Sequence, residues 1–292
     1  MSQPPELLAT AVREAAESSR RARVDIRAIE RPDDISAVWS LFGEIWNVPN
    51  GELGDRDLLV AMAHAGNYVV GAYDADRLVG ACIGFFGEPL GNSLHSHIAG
   101  VSSGLDGRGI GTAMKYHQRA WCLQRGIGQI TWTFDPLIAR NAAFNLNRLG
   151  ARIEDYLIEF YGPMNDGRNL GQPSDRVWVL WDLTTRRSPV VAPRSTPVLA
   201  PASNGSPRRT EPTPAVDLLR VSIPSDIEAL RRTDPAMAGR WRYALREVMT
   251  ELIGAGWVVA SFDRATAGYV FAKADVEGSR SERIAAEQEH DA

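Results

Sequence analysis

Cysteine is scarce in this sequence: only Cys82 and Cys122 occur among 292 residues, both in apolar surroundings. That excludes a disulfide framework and a cysteine-based zinc site. Long apolar runs are missing too. None approaches the roughly twenty residues of a membrane span, and the N-terminus lacks the apolar segment of a secretory signal. Positive charge is not in excess. The formal net charge is −4, which argues against a nucleic-acid partner, because such partners need a basic surface. With 44% hydrophobic and 23% charged residues, the chain reads as a soluble globular protein. The expectation is a reducing cytoplasm, no membrane partner and no metal.

What is present is a glycine-rich stretch, Gly104-Leu105-Asp106-Gly107-Arg108-Gly109-Ile110-Gly111-Thr112-Ala113-Met114-Lys115. It follows an apolar strand-like run and opens an amphipathic one, so it reads as a turn feeding a helix N-terminus. Backbone N–H groups there lack partners within the helix, glycines admit a ligand closely, and the dipole favours negative charge. The chemistry points to a phosphate or pyrophosphate. A Walker A loop is excluded, since Ile110 and Gly111 follow where Lys and Ser/Thr are needed. A dinucleotide fingerprint begun at Gly109 would need glycine at Met114.

Hydrophobic periodicity organises the rest. Residues 1–22 read as a polar, mobile arm that is partly helical. Val24–Ile29 alternates as a strand, and Ile35, Val38, Trp39, Phe42 and Trp46 follow at helical spacing. Asp55–His64 fits a second helix. Tyr68–Tyr73 and Leu78–Phe86 flank a hairpin turn, and His95–Val101 runs into the glycine loop. Then come a helix Ile110–Arg125, a strand Gln129–Phe134, a helix Ile138–Leu149, and strands Arg152–Tyr161 and Val177–Leu183. Seven prolines from Pro189 to Pro214 mark 186–215 as a linker. Residues 216–275 read as a small α/β segment, with Trp241, Leu245, Val248, Met249 and Leu252 on the inner face of a helix Pro235–Ile253. Too small to stand easily alone, it is expected to dock on the first domain. The charged tail, 276–292, reads as disordered.

The window Asp106-Gly107-Arg108-Gly109-Ile110-Gly111 resembles the pyrophosphate loop of the GNAT superfamily of acyl-CoA N-acyltransferases, Gln/Arg-x-x-Gly-x-Gly/Ala, with Asp106 as a departure. Further pieces resemble a group of GNAT-like predicted acyltransferases: His95-Ser96-His97, Trp132-Thr133-Phe134-Asp135-Pro136, Arg140-Asn141-Ala142-Ala143-Phe144-Asn145, and Tyr161-Gly162-Pro163-Met164-Asn165-Asp166 with Pro173-Ser174-Asp175-Arg176. The resemblance covers about 23–184. It implies a GNAT fold, a mixed α/β sheet with helices on both faces, carrying a small C-terminal α/β extension after the proline-rich linker. It also implies acetyl-CoA or another acyl-CoA as co-substrate, and it hints at an amino-acid-like acceptor.

By that resemblance, Arg108, Gly109, Ile110, Gly111 and Thr112 cradle the pyrophosphate. The N–H groups of Ala99 and Val101 meet the thioester carbonyl and pantetheine, or else simply pair within the sheet. Asn141 lies against pantetheine. Arg108, Lys115 and Arg140 are the cations expected at the phosphates, with a solvated surface role as the alternative. Period-two alternation places His95, His97, Ala99 and Val101 on one strand face. His95, with His97 second, is the candidate base for the attacking amine, against a histidine merely held in place. A base role for His95 predicts that its removal flattens the pH–rate profile between about pH 6 and 8. Asp135 is a candidate base or ammonium ligand, or a cap of the next turn. The usual helix tyrosine is absent, leaving Tyr161, Tyr156 or solvent to protonate the thiolate. Arg176 suits an acceptor carboxylate, or a salt bridge. His117 reads as a packed core histidine, and Arg242 and Arg246 as a solvated face.

The reading is a CoA-dependent N-acyltransferase, an N-acetyltransferase in the first instance, acting by direct attack of the amine of a small metabolite such as an amino acid, with a homodimer allowed. The alternative is a catalytically degenerate acyl-CoA-binding module that senses or scaffolds.

Overall fold

The computed structural model describes residues 4–48, 55–162, 172–185, 195–211 and 216–273. Asp166, prolines 189, 193, 212 and 214, and the tail beyond 276 lie outside the described residues. The chain opens with α1 (Pro5–Ala22), β1 (Asp25–Ala28), α2 (Pro32–Trp46) and α3 (Arg56–His64). Strands β2 (Tyr68–Asp74), β3 (Arg77–Gly87) and β4 (Ser93–Val101) lead into α4 (Ile110–Gln124) and β5 (Gln129–Phe134). A short α5 (Ala139–Ala142) continues as a π-helical turn over Ala143–Arg148, before β6 (Arg152–Leu157) and β7 (Arg176–Asp182). These strands form a seven-stranded sheet in the order β1-β2-β3-β4-β5-β7-β6. Between β1 and β7 the elements follow the order that the GNAT resemblance implied.

By compactness the described residues divide into two units. The first comprises 4–48, 55–132 and 181–185; the second comprises 133–162, 172–180, 195–211 and 216–273.

In the first unit, α2 and α3 cover one sheet face. Ile35, Val38, Leu41, Phe42 and Ile45 recur at helical spacing and pack with Leu59, Val69, Ala81 and Ile83, as an amphipathic stripe requires. Asp55 caps α3 by accepting the Asp57 and Leu58 N–H groups.

The stretch 1–22, expected to be a mobile arm, holds an ordered helix from Pro5. Ala11, Ala15, Ser18 and Ala22 are buried on one side of α1, which packs on α4. Small side chains let two helices approach closely, and Glu14 pairs with the nearly buried Arg119 at 2.9 Å. An alanine stripe has a weak hydropathy signal, so composition alone disguised a packing face.

The second unit contains a sheet in the order β11-β12-β10-β8-β9. Its strands are β8 (Thr196–Pro201), β9 (Pro207–Arg209), β10 (Leu218–Ser222), β11 (Trp257–Asp263) and β12 (Gly268–Lys273). Two of them fall within the stretch read as a linker. Val198 and Leu199 are buried, while Pro197, Pro201 and Pro207 sit near strand ends, where a missing N–H is tolerated. Helices α6 (Ile227–Thr233) and α7 (Pro235–Gly254) are capped by Asp226 and Asp234. Trp241, Leu245, Val248, Met249 and Leu252 are buried along α7, as the periodicity predicts.

The segment 138–149 was expected to be one regular helix. Its π turn instead lets Leu149 N–H donate to the Phe144 carbonyl, five residues back. Within it, Asn147 clamps β11: Nδ2 donates to the Phe262 carbonyl at 2.7 Å, and Phe262 N–H donates to Oδ1 at 3.0 Å.

Candidate functional site

Three glycines of the loop hold positive φ: Gly104 and Gly107 at 80° and Gly109 at 85°. Gly109 is the N-cap of α4 in the left-handed region, a conformation that disfavours a side chain. A Cβ placed at Gly104, Gly107, Gly109 or Gly111 would meet nothing within 4 Å. The loop is therefore open as well as sterically permissive. The first N–H groups of α4, at Ile110, Gly111 and Thr112, lack intrahelical acceptors by geometry and face that open ground. An anionic group fits here.

The cations expected at the phosphates are engaged elsewhere. Arg108 is ion-paired to Asp74 at 2.8 Å and also donates to the Ala22 and Arg23 carbonyls, tying the loop to the end of α1. Arg140, in the second unit, pairs with Glu228 through both terminal nitrogens. Lys115 is buried rather than solvated: Nζ donates to Ser96 Oγ and Gln118 Oε1 and lies over the Trp132 ring.

Strand β4 pairs with β5 in parallel at Ser93↔Gln129, Leu94↔Ile130 and His95↔Thr131. Among the described residues that ladder ends there, so 96–101 have no β5 partner along that edge. On its other edge, β4 follows β3 with a bulge. Ile98 pairs with Ile83 and Ser96 with Gly84, leaving His97 as the extra residue.

The bulge corrects the expected alternation. His95 and His97 remain on one face, with Phe85 at 5.0 and 5.8 Å between ring centroids. Ile98 packs on the α2 cluster beside Ile83. Ala99, paired with Cys82, lies on the opposite face, where Gln118 of α4 donates to the Cys82 thiol. Val101 pairs with Gly80, whose open side looks toward Ile110 and Met114 of α4. One extra residue reverses every side chain beyond it.

His95 is buried, and Nδ1 lies 3.2 Å from Thr131 Oγ1. Burial first, then His97 and Lys115, push its pKa down to about 4. His97 is exposed, and partial desolvation also lowers it. The pH–rate flank expected near neutrality from an ordinary histidine therefore moves to about pH 4 for His95.

A stability consequence follows, with its sign set by linkage. Between about pH 6.5 and 4 the unfolded chain binds the proton that folded His95 refuses, so acidification destabilises the fold. The loss amounts to up to about 3 kcal/mol. Melting temperatures at pH 7 and pH 4.5 should diverge less in His95→Gln than in the wild type; an equal drop in both would exclude His95 as the source.

In the second unit Asp135 lies in a cluster of cations. Its Oδ2 accepts from Arg231 at 2.6 Å and Arg242 at 2.8 Å, and Oδ1 accepts from Leu137 N–H. Burial raises the carboxyl pKa, but Arg242, Arg231 and Arg176 outweigh it and hold the group far below the ordinary carboxylate range. Such a carboxylate is a poor base, and its charge is already matched. The candidate base and ammonium ligand is a structural ion pair that also caps the following turn.

Asp175 is similarly built in. Arg246 donates to both its oxygens at 2.9 and 2.7 Å, with Tyr156 OH at 2.8 Å and Glu159 N–H at 3.1 Å. Tyr156, pushed up first by burial, directs its hydroxyl to Asp175. Tyr161 is 40% exposed, with its OH 3.1 Å from Thr133 Oγ1 and the Arg176 guanidinium over its ring. Arg176 is buried and donates to the Asp175 carbonyl. Asn141 lies in α5, its N–H donating to the Ile138 carbonyl. Arg242 is fully buried, the reverse of the solvated face expected from its spacing with Arg246. His117 packs as expected, its Nδ1 2.9 Å from Tyr68 OH.

Element order, strand order and a glycine loop heading α4 together give the chain a GNAT-type fold. No family model matches the sequence, and no curated protein does. Solved structures similar to it include a putative acetyltransferase of Salmonella typhimurium, yncA, with its cofactor acetyl-CoA (TM-score 0.45, 15% identity, covering 58% of this chain and 99% of that one). The ribosomal-protein-S18-alanine N-acetyltransferase of Escherichia coli gives a TM-score of 0.46 at 11% identity, covering 57% and 99%. Naa50 of Arabidopsis thaliana, in complex with a CoA-Ac-MVNAL bisubstrate analogue, gives 0.43 at 20% identity, covering 54% and 97%. Among the described residues, no group of three or more His, Cys, Asp and Glu is placed to hold a metal, and no helix is long and apolar enough to cross a membrane.

Proposed function

We propose that this chain is a CoA-dependent N-acyltransferase. It moves an acyl group, acetyl or longer, from acyl-CoA to the amine of a small metabolite by direct attack. The observation that carries the reading is the open glycine cradle at the head of α4, joined to a β4 edge with no β5 partner beyond His95 among the described residues. The cradle suits a pyrophosphate. The free edge suits pantetheine, with the N–H groups of Ala99 and Val101 available to it. An N–H that meets the thioester carbonyl also stabilises the oxyanion formed on attack.

Direct transfer is supported by the cysteines. Cys82 and Cys122 are both buried, and burial raises both thiols, so neither offers a thiolate for a covalent intermediate. His97, neutral around pH 7 and open to solvent, is the group able to pass on the ammonium proton, whereas His95, pushed down to about 4, is the weaker base. A small acceptor such as an amino acid is what the sequence resemblance hints at. The test is thiol release from acyl-CoA over a panel of amines including amino acids. Absence of both binding and release sinks the reading.

The engagement of Arg108 and Arg140 in ion pairs, and of Tyr156 with Asp175, favours one alternative: a module that binds acyl-CoA without turnover. Tight binding with no thiol release across the panel selects it.

A further inference from the structure

Lys115 is one of two lysines in the chain, the other being Lys273. It stands one turn into α4 from the glycine cradle and is only 8% exposed. Nζ donates to Ser96 Oγ at 2.8 Å and Gln118 Oε1 at 3.1 Å, and lies 4.1 Å from the centroid of the Trp132 ring. None of these partners is an anion. The titratable groups facing the ammonium are the thiols of Cys82 on β3 and Cys122 on α4, both kept protonated by burial, and His95 on β4, which is neutral. An ammonium buried among neutral groups is disfavoured, and burial pushes Lys115 down to about 8. An apolar chain of the same length would fill this space without that penalty.

The position of the charge suggests its purpose. The β4–β5 ladder ends at His95↔Thr131. Ser96 and Trp132 are the next residues on the two strands, and Nζ touches both. The ammonium therefore lies at the closed end of the parting between the strands. On the acyl-CoA reading, on which this inference rests, that is where the far end of the acyl chain arrives.

We propose that Lys115 is a specificity-determining residue that selects acyl-CoA donors whose acyl chain ends in a carboxylate. The incoming carboxylate supplies the counter-charge that Ser96, Gln118 and Trp132 do not. It accepts a charge-assisted hydrogen bond from Nζ in a water-poor setting, where such bonds are strongest.

Succinyl-CoA and butyryl-CoA carry acyl chains of equal carbon count and differ in the terminal group, so their affinities, measured by calorimetry with acetyl-CoA alongside, test the idea. The wild type should bind succinyl-CoA at least about tenfold more tightly than butyryl-CoA at pH 7. Lys115→Met should erase or invert that ratio. Should that variant fail to fold, the wild-type ratio must still fall as pH rises from 7 to 10 and the ammonium discharges. Equal affinities, a butyryl preference, a ratio unmoved in Lys115→Met or a pH-independent ratio would overturn the proposal and leave the acyl-CoA reading standing. If none of the three binds, the acyl-CoA reading itself fails and takes this inference with it.

Discussion

Replacing Asp135 by asparagine should destabilise the protein by about 3–5 kcal/mol, the range for removing one partner of a buried ion pair. The substitution nearly preserves shape, so the effect isolates charge. Asp135 is the direct acceptor for Arg242, which is fully buried, and for Arg231, whose side chain is 10% exposed. Without the carboxylate, Arg242 keeps a positive charge in a site where its Nε and Nη1 already lack hydrogen-bond partners among the described residues. An amide oxygen in the place of Oδ2 can accept both hydrogen bonds but offers no compensating charge, and its NH2 then meets the Leu137 N–H donor. Linkage gives the accompanying pH dependence. The folded carboxyl titrates below its unfolded value, so this contribution is complete above about pH 4 and is lost as pH falls further. Denaturant midpoints of the wild type and Asp135→Asn at pH 7 measure the effect. A change below about 1 kcal/mol, the scale of exposed pairs, would mean that the cluster is solvated. A variant that folds with wild-type stability but loses turnover would restore Asp135 as a catalytic group.

That network also shows where the sequence stops speaking. Local signals carried most of the fold. The Ile35–Trp46 stripe, the helix begun at Asp55 and the alternating strands all act within a few residues and appear near where their periodicity puts them, although the strand expected over Arg152–Tyr161 stops at Leu157. Gly109 was legible for the same reason, because a positive φ is a local demand. Arg242 looked like surface because its partner stands 107 positions away. Spacing along one helix cannot reveal a carboxylate that another element delivers. Lys115 was misplaced similarly, since its burial depends on Ser96 and Trp132 from two strands. Two single-residue irregularities did the remaining damage. The His97 bulge turned Ala99 and Val101 to the other face, and the π turn over Ala143–Arg148 interrupted the regular helix expected over 138–149. Neither has a reliable signature in composition, because each is fixed by what packs against it. The alanine face of α1 and the prolines of β8 are a third kind of miss, in which a residue type associated with disorder serves a close contact or a strand end.

Gly109→Glu should reduce acyl-CoA affinity by at least about 100-fold while leaving the fold largely intact. Two effects add. Gly109 sits at φ 85°, where a side chain costs roughly 1–2 kcal/mol, and any relief of that strain moves the N–H groups of the cradle. The new carboxylate also sits at the head of α4, where it satisfies the helix dipole itself and repels an incoming phosphate. Together these come to about 3 kcal/mol, or roughly two decades in Kd. Stability should fall by less, because the space around Gly109 is open and an acid at a helix N-terminus regains part of the strain. Gly109→Ala separates the causes, since it carries the strain without the charge, and it should lose clearly less affinity than the glutamate variant. Raising the ionic strength should narrow the gap between the two, because an exposed charge is screened over about 10 Å at 0.1 M salt. Equal binding by wild type and Gly109→Glu would remove the phosphate from this loop. Equal losses in the alanine and glutamate variants would leave the loop as a shape requirement alone, with the charge complementarity lying elsewhere along the first turn of α4.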